Sequence, residues 1–83
     1  MKTYYVIKNN IGKCFWDMKD VETGKNPLRF TNTDFRITKF NTYEEAEVCL
    51  QNIREFVKQK HYAIKAYKTV KSLYIDRIDD KSL

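Results

Sequence analysis

Apolar residues return along this chain with two different periods, and the change from one to the other marks its elements. Between residues 42 and 60 (TYEEAEVCLQNIREFVKQK), Ala46, Cys49, Leu50, Ile53, Phe56 and Val57 recur at the spacing of one helical stripe. Glu47, Gln51, Arg54, Glu55 and Lys58 fall on the other side. Thr42 supplies an N-cap hydroxyl, and Glu45, three residues on, can reach back to the cap as in a capping box. Glu44, Glu45 and Glu47 sit near the positive end of the helix dipole, and Lys58 and Lys60 near its negative end. No Gly or Pro interrupts. The pattern predicts an amphipathic helix over 42–60, with Val48 on its flank.

Elsewhere the period is two. Residues 3–9 (TYYVIKN) place Tyr4 and Val6 on one side and Tyr5 and Ile7 on the other. Both sides are apolar, which predicts either a central strand or a tyrosine left exposed for recognition. Asn9-Asn10-Ile11-Gly12 carries turn chemistry, since Asn and Gly tolerate positive φ. Residues 13–18 (KCFWDM) then predict an antiparallel strand with Cys14, Trp16 and Met18 on one face and Phe15 on the other. Residues 19–32 form an irregular arm punctuated by Thr23-Gly24 and Asn26-Pro27, with Leu28 and Phe30 returning as a short edge strand. Residues 35–40 (FRITKF) predict a further strand that enters the helix through Asn41. Residues 61–68 (HYAIKAYK) predict another, with Tyr62, Ile64 and Ala66 toward the helix. His61, Lys65, Tyr67, Thr69 and Lys71 would then project from the opposite face. Residues 71–79 mix both spacings and are assigned to a final strand or extended tail. The expected class is α+β, in the order β-β-(β)-β-α-β. An antiparallel sheet of about four strands carries one helix on one face and leaves the other open.

Composition narrows what such a domain does. At 83 residues the chain makes one domain with a modest core, and 42% hydrophobic content excludes a disordered segment. Cys14 and Cys49 lie in apolar runs with no metal-type spacing and read as reduced core thiols. Met1-Lys2 leads straight into a strand pattern rather than a signal-peptide core, and no run reaches membrane-spanning length, so a cytoplasmic protein is expected.

Charge is unevenly placed. Between residues 54 and 71 stand six basic residues, Arg54, Lys58, Lys60, Lys65, Lys68 and Lys71, against the one acid Glu55, which accounts for the whole chain's net +5. This basic pole, with Tyr67 interleaved, is the candidate partner-binding surface. Lys25 and Arg29 add cations on the arm, a candidate specificity element. Lysines alternating with sheet aromatics suit base stacking over a phosphate-binding field. Tyr, Trp and Arg serve equally as anchors of a protein interface. Neither the RRM aromatic consensus nor a helix-turn-helix pair is present.

No constellation carries catalysis. His61 is the only histidine and has no Ser or Cys neighbour in sequence. Asp17, Asp20 and Glu22 lack the Gly and distal Glu of a calcium loop. Thr23-Gly24-Lys25 lacks the earlier Gly of a phosphate loop. A non-enzyme without cofactor or metal is expected.

The stretches YVIKN and GKCFW, then FNTYEEAE, then HYAIK, spanning about residues 3–68, resemble small orphan proteins of bacteriophages and mobile elements of low-GC Gram-positive bacteria. The Lys-, Asn- and Ile-rich composition points the same way. The resemblance implies a protein of the host bacterial cytoplasm that binds and blocks a host factor, including CRISPR and other defence effectors. It assigns no residue a role. A host protein or ribonucleoprotein complex is thus the expected partner, with nucleic acid and a second copy of the chain as alternatives. Mimicry of DNA is disfavoured, because mimics are acidic and this chain is basic.

Overall fold

The computed structural model describes residues 2–19, 27–59 and 64–80, with backbone alone at residues 64, 65 and 80. Strands β1 (Lys2–Lys8), β2 (Cys14–Met18) and β3 (Leu28–Thr31) come first. A 3-10 turn (Asp34–Arg36) leads into helix α1 (Tyr43–Gln59), helix α2 (Ile64–Ser72) and strand β4 (Tyr74–Asp80). The sheet is antiparallel in the order β3-β2-β1-β4. The two apolar faces of the first strand are explained by its central place, paired with β4 along its whole length from Lys2↔Asp80 to Lys8↔Tyr74.

Helix α1 forms as its stripe dictates. Ala46, Leu50, Ile53 and Val57 are buried, each of the larger three worth about 1.5–3 kcal/mol on removal from water. Val48 is exposed. The Thr42 hydroxyl accepts the Glu45 amide at 3.1 Å, while the Glu45 carboxylate accepts the amide of Asn41, at 3.1 Å, rather than that of the cap itself. The stripe packs on Ile7, Phe15 and Leu28 of the sheet.

Three expectations are corrected. The chain has two helices among its described residues, because 64–72 is helical where 61–68 was read as a strand. Ala66, Val70 and Leu73 all join the core, and their four- and three-residue steps are those of one helix face. The alternation seen in Tyr62, Ile64 and Ala66 ended too early to reveal that longer period. The strand read over 35–40 is instead a 3-10 turn followed by an extended stretch, of which only Phe40 forms a bridge, with Tyr5. Finally, a bulge between Phe15 and Asp17 shifts the register of β2, so Met18 opposes Leu28 and returns to the core side with Phe15 instead of sharing the face of Trp16. The short edge strand at Leu28 and Phe30 and the closing strand in the 71–79 region are both present.

The first two strands barely touch. They meet as a ladder at Lys8↔Cys14, next to the turn. Asn9 holds that end: its side-chain oxygen accepts the amides of Ile11 at 3.2 Å and Lys13 at 2.9 Å, and Gly12 takes the positive φ of 81°. Beyond it the strands separate, and residues 38–40 fill the space. The Thr38 amide donates to the carbonyl of Phe15 at 3.1 Å, and its hydroxyl donates to the carbonyl of Trp16 at 2.5 Å. Phe40 exchanges two backbone bonds with Tyr5, each 2.8 Å. The wedge satisfies groups on both strands that would otherwise lack ladder partners. It also fixes the segment just before it, the 3-10 turn.

Candidate interaction surface

The helices cover the face of the sheet that carries Ile7, Phe15 and Ile75. Strand alternation and register put Tyr4, Val6, Lys8, Cys14, Trp16, Asp17, Arg29 and Asp76 on the other face. Part of it is closed, since Val6 and Cys14 are buried and Lys8 pairs with Asp76 at 2.7 Å. That contact raises the lysine's pKa, chiefly through the hydrogen bond to Asp76. The rest, around Trp16, is a cluster of cations and rings.

Trp16 stands at the bulge, which lets it and Asp17 both serve the outer side. The Arg29 guanidinium lies 4.0 Å from the indole centroid and that of Arg36 lies 4.8 Å from it. Arg29 is locked in place by Asp17, its register partner across the strands, through Nε and Nη2 to the two carboxylate oxygens. The Arg29 hydrogen bond holds the Asp17 carboxyl below the usual carboxylate range. The 3-10 turn contributes the remainder. The Arg36 guanidinium is also 5.4 Å from the ring of Phe35, and Phe35 is 81% exposed. Lys39, within the wedge, lies over Tyr4 at 5.1 Å and pairs with Asp34 at 3.2 Å.

Arg29, expected on the arm's specificity element, is thus found in this cluster. Lys25 lies outside the described residues, as do Lys60 and His61. Lys58 is exposed on α1 and Arg54 is half-buried there; Lys68 and Lys71 are exposed on α2. None of these four makes an ion pair among the described residues. Lys65 stands in the first turn of α2, where only its backbone is described. Tyr67 is corrected most: it is half-buried against the helical core and belongs to no strand, so it offers no stacking ring beside Lys65 on a sheet. The alternation on which base stacking rested is absent.

Trp16, Phe35 and Arg36 were not among the expected binding residues. The alternation places Trp16 on a strand face with Cys14 and Met18 and Phe35 within a strand, and neither pattern marks a binding residue. A signal was available in Asn32-Thr33-Asp34, a polar run that favours a turn and ends any strand before Phe35. The Thr31 hydroxyl accepts the Thr33 amide at 2.9 Å, and the Arg36 amide closes back on the Thr33 carbonyl at 2.9 Å.

The two cysteines sit where a thiol is least reactive. Cys14 is buried and Cys49 half-buried, both are free, and burial pushes both thiols above their ordinary value. No helix among the described residues is long and apolar enough to cross a membrane. No known protein family, curated protein or solved structure matches the chain.

Proposed function

We propose that this chain is a non-enzymatic binding module that acts stoichiometrically on a protein partner, through the outer sheet face around Trp16. The observation that carries the reading is Phe35, an aromatic ring 81% exposed beside an arginine that itself stacks on Trp16. A singly exposed apolar side chain is ordinary, but here the ring is grouped with an arginine and a tryptophan, and Trp, Arg and aromatic anchors dominate the energetics of protein interfaces. The wedge at Thr38 and Phe40 supports it further, because a turn pinned on its C-terminal side loses less freedom on binding. Together with the resemblance of the sequence to phage accessory proteins, this favours a module that occupies and blocks a host protein or ribonucleoprotein, a defence effector being one such target.

The test is affinity capture by the tagged chain from a bacterial host lysate, with and without nuclease. A single dominant protein at near-equal stoichiometry, retained after nuclease, is expected. Capture that disappears on nuclease treatment would sink the protein reading.

Direct nucleic-acid binding is the second reading, favoured by the exposed Lys58, Lys68 and Lys71 on the two helices, which have no ion-pair partner among the described residues. It predicts affinity that falls steeply with salt as counterions are released. A second copy of the chain is the weaker partner, since the long edge strand β4 carries Asp76, Arg77 and Asp79, charges that oppose edge-to-edge pairing.

A further inference from the structure

We infer that Arg36 and Phe35 form a two-point site for an acidic protein segment, the guanidinium taking a partner carboxylate and the ring an adjacent apolar side chain. This rests on the protein-binding reading above and deepens it by naming the site and the chemistry of its ligand.

Two guanidinium groups lie over Trp16 and the Lys39 ammonium lies over Tyr4 on the same face; of these three cations, two are already paired. Asp17 occupies Nε and Nη2 of Arg29, and Asp34 holds Lys39. Arg36 differs. Its guanidinium lies over two rings, Trp16 and Phe35, and has no carboxylate partner among the described residues. A guanidinium held by π-faces keeps its N–H edges free, and that planar fork matches a carboxylate's two oxygens. Stacking also removes rotamer freedom before the ligand arrives, so less is lost on binding. Charge complementarity therefore selects an anion at Arg36, and the exposed ring beside it selects an apolar neighbour on the same ligand.

The same geometry argues against a nucleic acid here. A base seeking the indole meets guanidinium groups at 4.0 and 4.8 Å from its centre. The anions Asp17 and Asp34 stand within the cluster and offset most of the field a phosphate backbone needs. An acidic peptide needs only one free guanidinium and one ring.

The experiment selects binders to the full chain from a random short-peptide library and titrates one synthetic winner, reading the emission of Trp16, the chain's single tryptophan. Winners are expected to carry Asp or Glu next to an aromatic or Leu, and to perturb that emission. Arg36→Gln and Phe35→Ala should each weaken binding about tenfold or more, and Arg36→Lys should recover only part of the loss. Circular dichroism of each variant establishes that the fold is intact; both side chains lie at the surface. Winners without acids, winners indifferent to Arg36→Gln, or a library that yields none would each overturn the inference. Peptides that instead lose binding on Lys58→Ala, Lys68→Ala or Lys71→Ala would overturn this site while leaving protein binding intact. Salt-sensitive binding of poly(dT) with no peptide binder would overturn both.

Discussion

Asn9 should be the most consequential polar side chain in the fold. It is the buried polar residue at the end of β1, at 8% exposure, and its Oδ1 accepts two backbone amides at 3.2 and 2.9 Å. The ladder between β1 and β2 has its pairing at the adjacent Lys8↔Cys14, so this turn is one of two devices that hold the strands in register. The other is the wedge. Asn9→Ala removes both acceptors and leaves the Ile11 and Lys13 amides to water. Each such bond is worth about 1 kcal/mol net, and because both amides lie near the surface the penalty for orphaning them stays small. The loss should be about 2 kcal/mol, or roughly 8–16 °C in Tm for a domain of this size. Thermal and urea unfolding measure it. Asn9→Asp keeps the acceptor geometry and should lose less, while Ile11→Ala, on the exposed tip of the same turn, should stay within about 0.5 kcal/mol. An Asn9→Ala variant within that same surface-substitution range would refute the claim that the side chain sets the register.

Two further predictions probe the core and the ion pair. Ile53→Ala, at a fully buried position, should cost about 2–5 kcal/mol, whereas Val48→Ala, five residues earlier on the same helix and 61% exposed, should cost almost nothing; equal losses in urea unfolding would contradict the assigned stripe. In acid, Asp17 matters because its folded-state pKa is lowered, first by the Arg29 hydrogen bond. A lowered carboxyl stabilises the fold above its ordinary value, about pH 4, and that contribution is lost as pH falls through the lower folded value. Asp17→Asn should therefore flatten the acid limb of Tm against pH while leaving the neutral-to-alkaline limb unchanged in shape. An unaltered acid limb would remove Asp17 from the account.

What the sequence disclosed depended on how long each pattern ran. Helix α1 was legible to within a residue, because the stripe, the Thr42 cap and the acidic first turn all reported the same element over its 17 residues. The central position of β1 was legible from two apolar faces. Helix α2 was not, because its start at Ile64 and Ala66 mimics alternation, and the discriminating step from Ala66 to Val70 lies beyond the window where a strand was assumed. The wedge was half legible: Phe40 does pair as a strand residue, but no local pattern says that residues 38–40 will lie between β1 and β2. That is a tertiary fact, produced by two strands that part beyond Cys14.

The candidate surface was hidden for the same reason. Counting charge along the chain pointed to residues 54–71, where six cations stand close together in sequence. The outer face brings Arg29 from β3 and Arg36 from the 3-10 turn to Trp16, and Lys39 from the wedge to Tyr4, three segments that only the fold brings together. Arg29 alone was common to both views. A bulge at Trp16, invisible in the alternation of CFWDM, is what turns Asp17 to the same face, where its carboxylate holds Arg29.

The most direct measurement compares two variants of the tagged chain for retention of the partner captured from a host lysate. One carries Phe35→Ala with Arg36→Gln; the other carries Lys58→Ala, Lys68→Ala and Lys71→Ala. The first variant should lose the partner at least about tenfold while the second holds it near the unmodified level. Loss by the lysine variant with full retention by the Phe35/Arg36 variant would place function at the basic end of the helices and contradict the central claim.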